Sequence, residues 1–236
     1  MNSTPNHTSL DNIIILHEDN HTIVVNKRAS DIVQGDKTGD EPLPEVIKQY
    51  LKEKYNKPGN VFCGVVHRLD RPTSGALVFA RTSKALSRLN AQFREKTTDK
   101  IYWAVVENMP SQKSGRLSHY LKKNEKQNKS YAHDNEVKGS KHAVLHYKWI
   151  ASSDKYHLLE VELETGRHHQ IRCQLATIGC VIKGDVKYGA RRSNKDGSIH
   201  LHARKLSFEH PTTKEMISVV APVPEEPLWN YFEALV

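Results

Sequence analysis

One stretch, residues 65 to 82, constrains the fold more than any other part of the chain. It reads VVHRLDRPTSGALVFART, so a polar turn with proline and glycine separates two apolar runs. Short apolar runs bounded by turn residues are typical of buried strands, and the pattern therefore predicts a strand, a turn and a second strand. Asp70 lies in the turn between Arg68 and Arg71. Because an unpaired buried charge is costly, we expect Asp70 to have a cationic partner and a function.

The turn carries a pattern with a known counterpart. Residues 67–75, HRLDRPTSG, resemble the HRLDxxTSG signature of the RluA-type pseudouridine synthases, in which the aspartate is catalytic. Every specified position matches, and the resemblance extends from about residue 13 to the C-terminus. Residues 166–172 match the family's Gly-Arg-x-His-Gln-Ile-Arg motif, and residues 184–189 resemble its next loop. The alternative is that Asp70 only closes the turn, since aspartate is a common turn residue.

The resemblance implies a fold and a reaction. The implied fold is α+β, the pseudouridine synthase fold, with a mixed, mainly antiparallel sheet flanked by helices and loops and a central RNA-binding cleft. The implied reaction detaches uracil from ribose at nitrogen, rotates the base and rejoins it through carbon 5. It needs no ATP or redox cofactor. The uridine must first be extruded from its stack, so base flipping is expected.

The resemblance also implies the catalytic residues, which are Asp70, Tyr102 and Arg172. Asp70 acts either as a nucleophile on the sugar or as a base at the neighbouring ribose carbon, and both alternatives stay open. Tyr102 stacks under the uracil, and Arg172 pairs with Asp70 to keep it ionised and oriented. Arg68, on the same turn as Asp70, fills the gap that the extruded uridine leaves in the RNA.

The distribution of charge indicates a polyanionic partner. The chain has 35 Lys and Arg against 27 Asp and Glu, a net charge of +8. Residues 111–141 hold eight basic and three acidic residues, and we expect this segment to be a long hairpin or a mobile excursion. We therefore expect an RNA partner, a ribosomal or transfer RNA stem-loop. The expected RNA contacts are Arg68, His67, Arg71, Arg167, His169, Lys122, Lys123 and Lys126.

Hydrophobic periodicity predicts the other elements. A strand pair is expected around residues 19–20, a helix from Pro44 and a second helix after Thr82. Further strands are expected at residues 100–106, 143–150, 157–164, 200–208 and 216–220. A third helix is expected to start at Thr165, which would put His168 and Arg172 on one face.

One segment departs from the family pattern. Residues 26–30 read NKRAS where the family usually has Lys-Pro-x-Gly. Arg28 stands in place of the proline and Ser30 in place of the glycine. Because proline and glycine set backbone angles that other residues do not, the departure leaves the geometry of this turn open.

Several classes of protein are disfavoured. No apolar run approaches the length of a membrane span, and the polar N-terminus lacks the pattern of a signal peptide. The three cysteines form no CxxC pair, and the histidine pairs 168/169 and 200/202 lack nearby ligands at a recognised metal spacing. We therefore expect a cytoplasmic monomer without a metal, with a disordered lead-in over residues 1–12 and a single catalytic domain over residues 13–236. We expect no room for the small RNA-binding module that relatives often carry in front.

Two other functions compete with catalysis on RNA. A non-catalytic RNA-binding protein or RNA chaperone would use the same basic cleft. A glycoside hydrolase needs two paired carboxyl groups, and no second acid accompanies Asp70 in its motif. Loss of the Asp70 carboxylate separates these possibilities, because it would abolish a catalysed reaction, whereas a chaperone would still bind RNA and has no such chemistry to lose.

Overall fold

The structure is a computed structural model that describes residues 7–35 and 39–236. The strands are β1 Ile15–Glu18, β2 Thr22–Lys27, β3 Gly64–Val65, β4 Ser74–Ala80, β5 Asp99–Val106, β6 Ser114–Asn124, β7 Lys129–His133, β8 Lys141–Ser152, β9 His157–Leu163, β10 Leu201–Glu209 and β11 Met216–Val220. The helices are α1 Leu43–Lys54, α2 Ser83–Glu95, α3 Gln170–Thr177 and α4 Pro227–Glu233, and a 3-10 turn spans Val186–Tyr188.

The chain divides into two compact units. Unit 1 comprises the described part of Met1–Asp99 together with Ala203–Pro222, and unit 2 comprises Lys100–His202 and Val223–Val236. The single domain expected over residues 13–236 stays a prediction. The disordered lead-in expected over residues 1–12 lies outside the described residues as far as residue 6. It does not extend to residue 12, because Thr8 is buried and donates hydrogen bonds from its N and Oγ1 to the Asp31 carboxylate, at 2.7 and 2.6 Å.

Unit 1 is a sheet of short apolar strands covered by a helix. Strand β2 pairs antiparallel with β1 and with β4, β3 pairs with β4, and β11 pairs with β10, which lies beside β4. Val24 and Val78 are buried against Leu89 of α2 and Phe208 of β10. Because side chains alternate between the faces of a strand, the period of two in β2 and β4 builds this core. The hydroxyl of Thr82 caps α2 by accepting a hydrogen bond from the backbone N of Ala85 at 3.1 Å.

Unit 2 contains five antiparallel strands of the sheet, in the order β5-β9-β8-β6-β7. One face packs against α3, where Leu121 and Ala143 are buried with Cys173. The other face packs against α4 at the β5 end of the sheet, where Trp103 is buried with Phe232. Both faces are therefore apolar in part, and each is covered by a different helix.

Most elements expected from periodicity are confirmed. The strand pair β1–β2, the helices α1 and α2 and the strands β5, β8, β9, β10 and β11 lie where the sequence predicts them. Residues 111–141 form a hairpin of β6 and β7, one of the two expected outcomes. The third helix begins at Gln170 and not at Thr165, because His169 has a left-handed backbone with φ of 52°. His168 thus lies before the helix and does not share a helical face with Arg172.

Gly75 of the signature lies at the start of β4, against the backbone of β10. Its φ is +118°, and a Cβ atom there would lie 2.4 Å from the carbonyl oxygen and 2.5 Å from the N of Ala203. We expect Gly75→Ala to lower the free energy of unfolding by about 2–6 kcal/mol, through backbone strain and overpacking together. Urea unfolding measures the loss.

The matched control for this change is Gly59→Ala. Gly59 also has a positive φ, +76°, but a Cβ atom there would meet nothing within 4 Å. We expect it to lose only the strain contribution, about 1–2 kcal/mol. Equal losses at the two positions would contradict a close strand contact at Gly75.

Candidate active site

The signature turn between β3 and β4 is held from inside unit 1 by Lys27. The ammonium Nζ donates hydrogen bonds to the carbonyl oxygens of Arg28, Arg71 and Thr73, at 2.9, 3.1 and 2.7 Å. The register of β2 and β4 places Lys27 directly opposite Gly75. The strand that follows the turn and the turn itself are therefore both anchored to the end of β2.

The Lys27 ammonium is a buried cation beside the turn. The side chain is 1% exposed. Burial lowers the pKa of Lys27 to about 8, and the charges of Asp31 and Asp70 oppose this decrease. Because a buried charge is costly unless it is hydrogen-bonded, the three carbonyl contacts are what allow the ammonium to stay there. The site thus combines the Asp70 carboxylate with a nearby positive charge.

Backbone hydrogen bonds close the turn that carries Asp70. The N of Thr73 donates to the carbonyl oxygen of Asp70 at 3.0 Å, and the N of Ser30 donates to that of Arg71 at 2.9 Å. The Arg71 side chain forms an ion pair with Asp40. Asp70 is half-buried. The two backbone hydrogen bonds fix the main chain of the turn from which its carboxylate extends.

The other two residues of the signature that we expect to contact RNA differ in their surroundings. The exposed Arg68 guanidinium donates from Nη1 to Oε1 of Gln34 at 2.8 Å. The His67 ring stacks on Phe93 of α2 with 4.5 Å between ring centres, and its Nε2 accepts a hydrogen bond from the N of Val78 at 3.3 Å. Arg68 is thus at the surface, whereas His67 belongs to the packing between the turn and α2.

Arg172 lies in α3 of unit 2 and forms a bidentate ion pair with Asp185. The Nε–Oδ2 distance is 2.6 Å and the Nη2–Oδ1 distance is 2.8 Å, and both side chains are buried. The guanidinium carbon lies 5.2 Å from the centre of the Tyr188 ring. A guanidinium has five N–H donors, so this contact fixes its plane without using all of them. Pairing of Arg172 with Asp70 stays a prediction.

His169 and Arg167, from the same motif, occupy different environments. His169 is buried, its ring stacks on His168 with 3.8 Å between ring centres, and its Nδ1 lies 3.0 Å from the Tyr188 hydroxyl. Burial raises the pKa of Tyr188 far above its usual value, so this hydroxyl stays protonated. Arg167 is exposed and donates from Nε to the carbonyl oxygen of His142 at 2.9 Å.

The remaining predicted site residues lie on strands of unit 2. Tyr102 is buried on β5, directly opposite Val161 of β9. Lys122 and Lys126 are exposed in the β6–β7 hairpin, and Lys123 forms an ion pair with Glu125 at 2.6 Å. Glu125 therefore offsets part of the charge that Lys123 presents at the surface of the hairpin.

Sequence reasoning missed three residues that support the site, namely Lys27, Asp185 and Tyr188. Lys27 has a weak signal, because it is the last residue of β2 and follows the apolar run of that strand by two positions. Asp185 and Tyr188 lie in the loop that resembles the family pattern. The resemblance does not indicate that Asp185 pairs with Arg172 or that Tyr188 contacts His169. Their partners can be identified only in the structure, where α3 and this loop are in contact.

Two features are absent from the described ranges, 7–35 and 39–236. No helix among them is long and apolar enough to cross a membrane. Nor do those residues contain a group of three or more His, Cys, Asp or Glu side chains that could hold a metal ion. The histidine pairs 168/169 and 200/202 are accounted for instead by contacts with other side chains, such as the stacking of His200 on Trp229.

Comparisons with known proteins agree on one family. Residues 21–177 match the family described as RNA pseudouridylate synthase. An uncharacterized RNA pseudouridine synthase of Synechocystis, slr1629, is 33% identical over 214 residues, which are 89% of this chain and 65% of the relative. Ribosomal large subunit pseudouridine synthase D of Zymomonas mobilis is 32% identical over 222 residues, which are 90% of this chain and 69% of the relative.

A solved structure gives the same result for the fold. Human RNA pseudouridylate synthase domain containing 4 aligns with a TM-score of 0.76 at 23% identity, over 93% of this chain and 92% of that chain. The predicted α+β fold is therefore confirmed. The chain spans about two thirds of the length of the curated relatives that it matches.

The support that Lys27 gives to the turn can be tested by Lys27→Met, which keeps the bulk and removes the ammonium. Three carbonyls, in one buried and two partly buried hydrogen bonds, then lose a donor, and we expect the free energy of unfolding to fall by about 3 kcal/mol or more. Hydrogen exchange at the Thr73 amide, which bonds to Asp70, should accelerate more than at the strands. Lys48→Met, at a surface position on α1, is the control.

The pH dependence of stability gives a second readout for the same variant. The folded protein holds Lys27 at a pKa of about 8, below the ordinary lysine pKa of 10.5 that applies to the unfolded chain. Between these values the unfolded chain binds the extra proton, so wild-type stability should rise with pH relative to Lys27→Met. A difference that stays constant from pH 8 to 10 would contradict a buried ammonium at this position.

Proposed function

We propose that this chain, which belongs to the RNA pseudouridylate synthase family, isomerises uridine in RNA to pseudouridine with Asp70 as the catalytic carboxylate. The observation that carries the proposal is the turn of Asp70, which a buried ammonium holds through three backbone carbonyls. A catalytic group must be held in its reactive position before substrate arrives, and this support provides that.

The reaction moves one bond within one nucleotide. The bond between ribose and the uracil nitrogen breaks, and a bond between ribose and carbon 5 forms, so atoms and electrons balance without ATP or a redox cofactor. Asp70 acts either as the nucleophile on the sugar or as the base at the neighbouring ribose carbon. Both roles require an ionised carboxylate, and a positive charge near Asp70, such as that of Lys27, suits both.

We infer that Arg172 orients Asp70 and that Asp185 in turn orients Arg172. The bidentate contact with Asp185 fixes the plane of the guanidinium, and a planar fork is suited to a second carboxylate. Tyr102 is proposed to stack under the uracil. Its burial on a central part of the sheet gives the ring a fixed position, which a stacking role requires.

We further propose that the RNA substrate is held through its backbone by the β6–β7 hairpin. Lys122 and Lys126 are exposed there, and lysine contacts to phosphate give affinity without reading sequence. Arg68 is exposed on the turn of Asp70 and is proposed to occupy the gap left by the flipped uridine. The name of the Zymomonas relative favours ribosomal RNA over transfer RNA as the substrate.

The alternative of a non-catalytic RNA-binding protein or chaperone is not favoured, because the relatives are named as synthases. A cytoplasmic monomer stays our expectation for the state of the protein. The thiols of Cys63, Cys173 and Cys180 are free, which is typical of a reducing compartment.

Replacing the carboxylate tests the catalytic role. We expect Asp70→Asn to lower pseudouridine formation by at least about 10²–10⁴-fold, the range for loss of a general acid or base. RNA affinity should stay within a few-fold, because the amide keeps the size of the side chain. Mass-spectrometric mapping of pseudouridine in total RNA measures the first quantity and fluorescence anisotropy the second.

The control for this experiment is Asp154→Asn, at an exposed turn between β8 and β9. It should leave both quantities unchanged. Turnover of Asp70→Asn at the level of this control would remove Asp70 from the catalytic role.

The salt dependence of RNA binding tests the role of the hairpin. Each phosphate contact that is lost should reduce the slope of log affinity against log salt by about 0.7–0.9. We expect replacement of Lys122, Lys123 and Lys126 by Ala to flatten the slope by about two units, with the smallest share from Lys123, which Glu125 already neutralises. Lys48, Lys52 and Lys57, on and after α1, provide a control triple. An unchanged slope in the hairpin variant would place the RNA contacts elsewhere.

A further inference from the structure

One face of the sheet in unit 2 carries three aromatic rings side by side. Tyr120 of β6 lies directly opposite His142 of β8 on one side and His133 of β7 on the other. Residues opposite each other in an antiparallel pair point to the same face of the sheet. The three side chains therefore form a line across three neighbouring strands, which lie about 4.8 Å apart. We call Tyr120, His133 and His142 the aromatic row.

The aromatic row is on the face of the sheet opposite α3. Its neighbours in the sequence, Leu121 and Ala143, point the other way and are buried with Cys173 of α3. Arg172 lies in the same helix, so the row and this proposed catalytic residue are on opposite sides of the sheet. The row is therefore separate from the part of the proposed active site that unit 2 supplies.

The rings of the row are oriented by their neighbours and accessible to solvent. The ring centres of Tyr120 and His142 are 5.3 Å apart, with 47° between the ring planes. The hydroxyl of Ser118 lies 3.0 Å from Nε2 of His142, which fixes the imidazole. His142 is exposed, and Tyr120 and His133 are partly exposed. Ordered aromatic rings at a surface are suited to stacking with flat ligands.

Basic side chains lie beside the row, although the exposed acidic Asp134 follows His133. Lys122 lies opposite Tyr131 at the next position on this face, and both are exposed. The Lys129 ammonium is 5.4 Å from the centre of the Tyr131 ring. Arg167 donates to the backbone of His142. A ligand with flat rings and regularly spaced negative charges is complementary to this surface, and single-stranded RNA has both.

We propose that the aromatic row and Tyr131 bind unpaired bases of the substrate RNA on the face of the sheet away from α3. The inference rests on the proposed function, because it takes RNA as the substrate. Every base has a flat face, so such stacking tolerates any sequence, but bases within a duplex are already stacked on each other. The row thus selects single-stranded segments and contributes to affinity, while the chemical step takes place elsewhere.

An oligoadenylate tests this surface without involving the chemistry, because it contains no uridine. We expect Tyr120→Leu and Tyr131→Leu each to weaken binding of a labelled strand of about ten nucleotides by roughly 5- to 150-fold, as measured by fluorescence anisotropy. Tyr120→Phe should bind as the wild type does, because it keeps the ring. Tyr231→Leu is the matched control, since Tyr231 on α4 is 45% exposed and Tyr131 is 42% exposed.

The salt dependence separates stacking from phosphate contacts. Stacking releases no counterions, so the tyrosine variants should bind more weakly with the same slope against salt. Wild-type affinity in both leucine variants would overturn the proposal. A loss of equal size in Tyr231→Leu, or equally tight binding of the wild type to a duplex of the same length, would do so as well. Circular dichroism verifies folding, and His142→Ala, at an exposed position, replaces Tyr120→Leu if that variant unfolds.

Failure of the proposed function can be distinguished from failure of the aromatic row, because pseudouridine formation and oligoadenylate binding are measured separately. If the wild type forms no pseudouridine in total RNA, the proposed function fails, while the oligoadenylate measurement still decides whether the row binds single strands. If the wild type forms pseudouridine and the leucine variants bind oligoadenylate normally, only the row is wrong.

Discussion

The buried ammonium of Lys27 is the interaction on which the candidate site depends. A charge inside a protein requires hydrogen-bond partners, and here the partners are carbonyls of Arg71 and Thr73 in the turn and of Arg28 after β2. Movement of the turn would leave part of that charge unsatisfied, so the position of Asp70 is coupled to the position of β2. Gly75 completes the arrangement, because only a residue without Cβ fits against Ala203 at that point.

Unit 2 uses the same physical device, a buried cation held by fixed polar partners. The buried cation there is the Arg172 side chain, and its partner is the Asp185 carboxylate rather than backbone carbonyls. A buried ion pair contributes little net stability compared with apolar packing, but removal of one partner is strongly destabilising. Such pairs therefore fix orientation more than they add stability. Neither Lys27 nor Asp185 is proposed to be catalytic. Lys27 nevertheless holds the turn that carries Asp70, and Asp185 holds Arg172.

The family and most of the fold follow from local patterns in the sequence. The HRLDRPTSG turn predicts the family, which the match over residues 21–177 confirms, and hydrophobic periodicity predicts the strands and the helices α1 and α2. The start of α3 is wrong because a left-handed residue, His169, precedes it, and periodicity does not indicate that conformation. Lys27 has no predicted role because its partners in the turn are backbone atoms 44 and 46 residues away. A carbonyl oxygen is present in every residue, so such partners produce no recognisable sequence pattern. They are identified only once the register of β2 against β4 is known.

The hairpin of unit 2 shows how one alternating pattern serves two purposes. Leu121 and its odd-numbered neighbours build the core under α3, whereas Tyr120 and Lys122 point to the opposite face. A shift of the register by one residue would exchange the faces and bury the lysine, so the core that positions α3 also keeps the aromatic and basic side chains at the surface. Recognition by stacking and by phosphate contacts depends on whether bases are unpaired and where the backbone runs. The RNA contacts that we propose therefore respond to the shape of the RNA more than to the identity of the neighbouring bases.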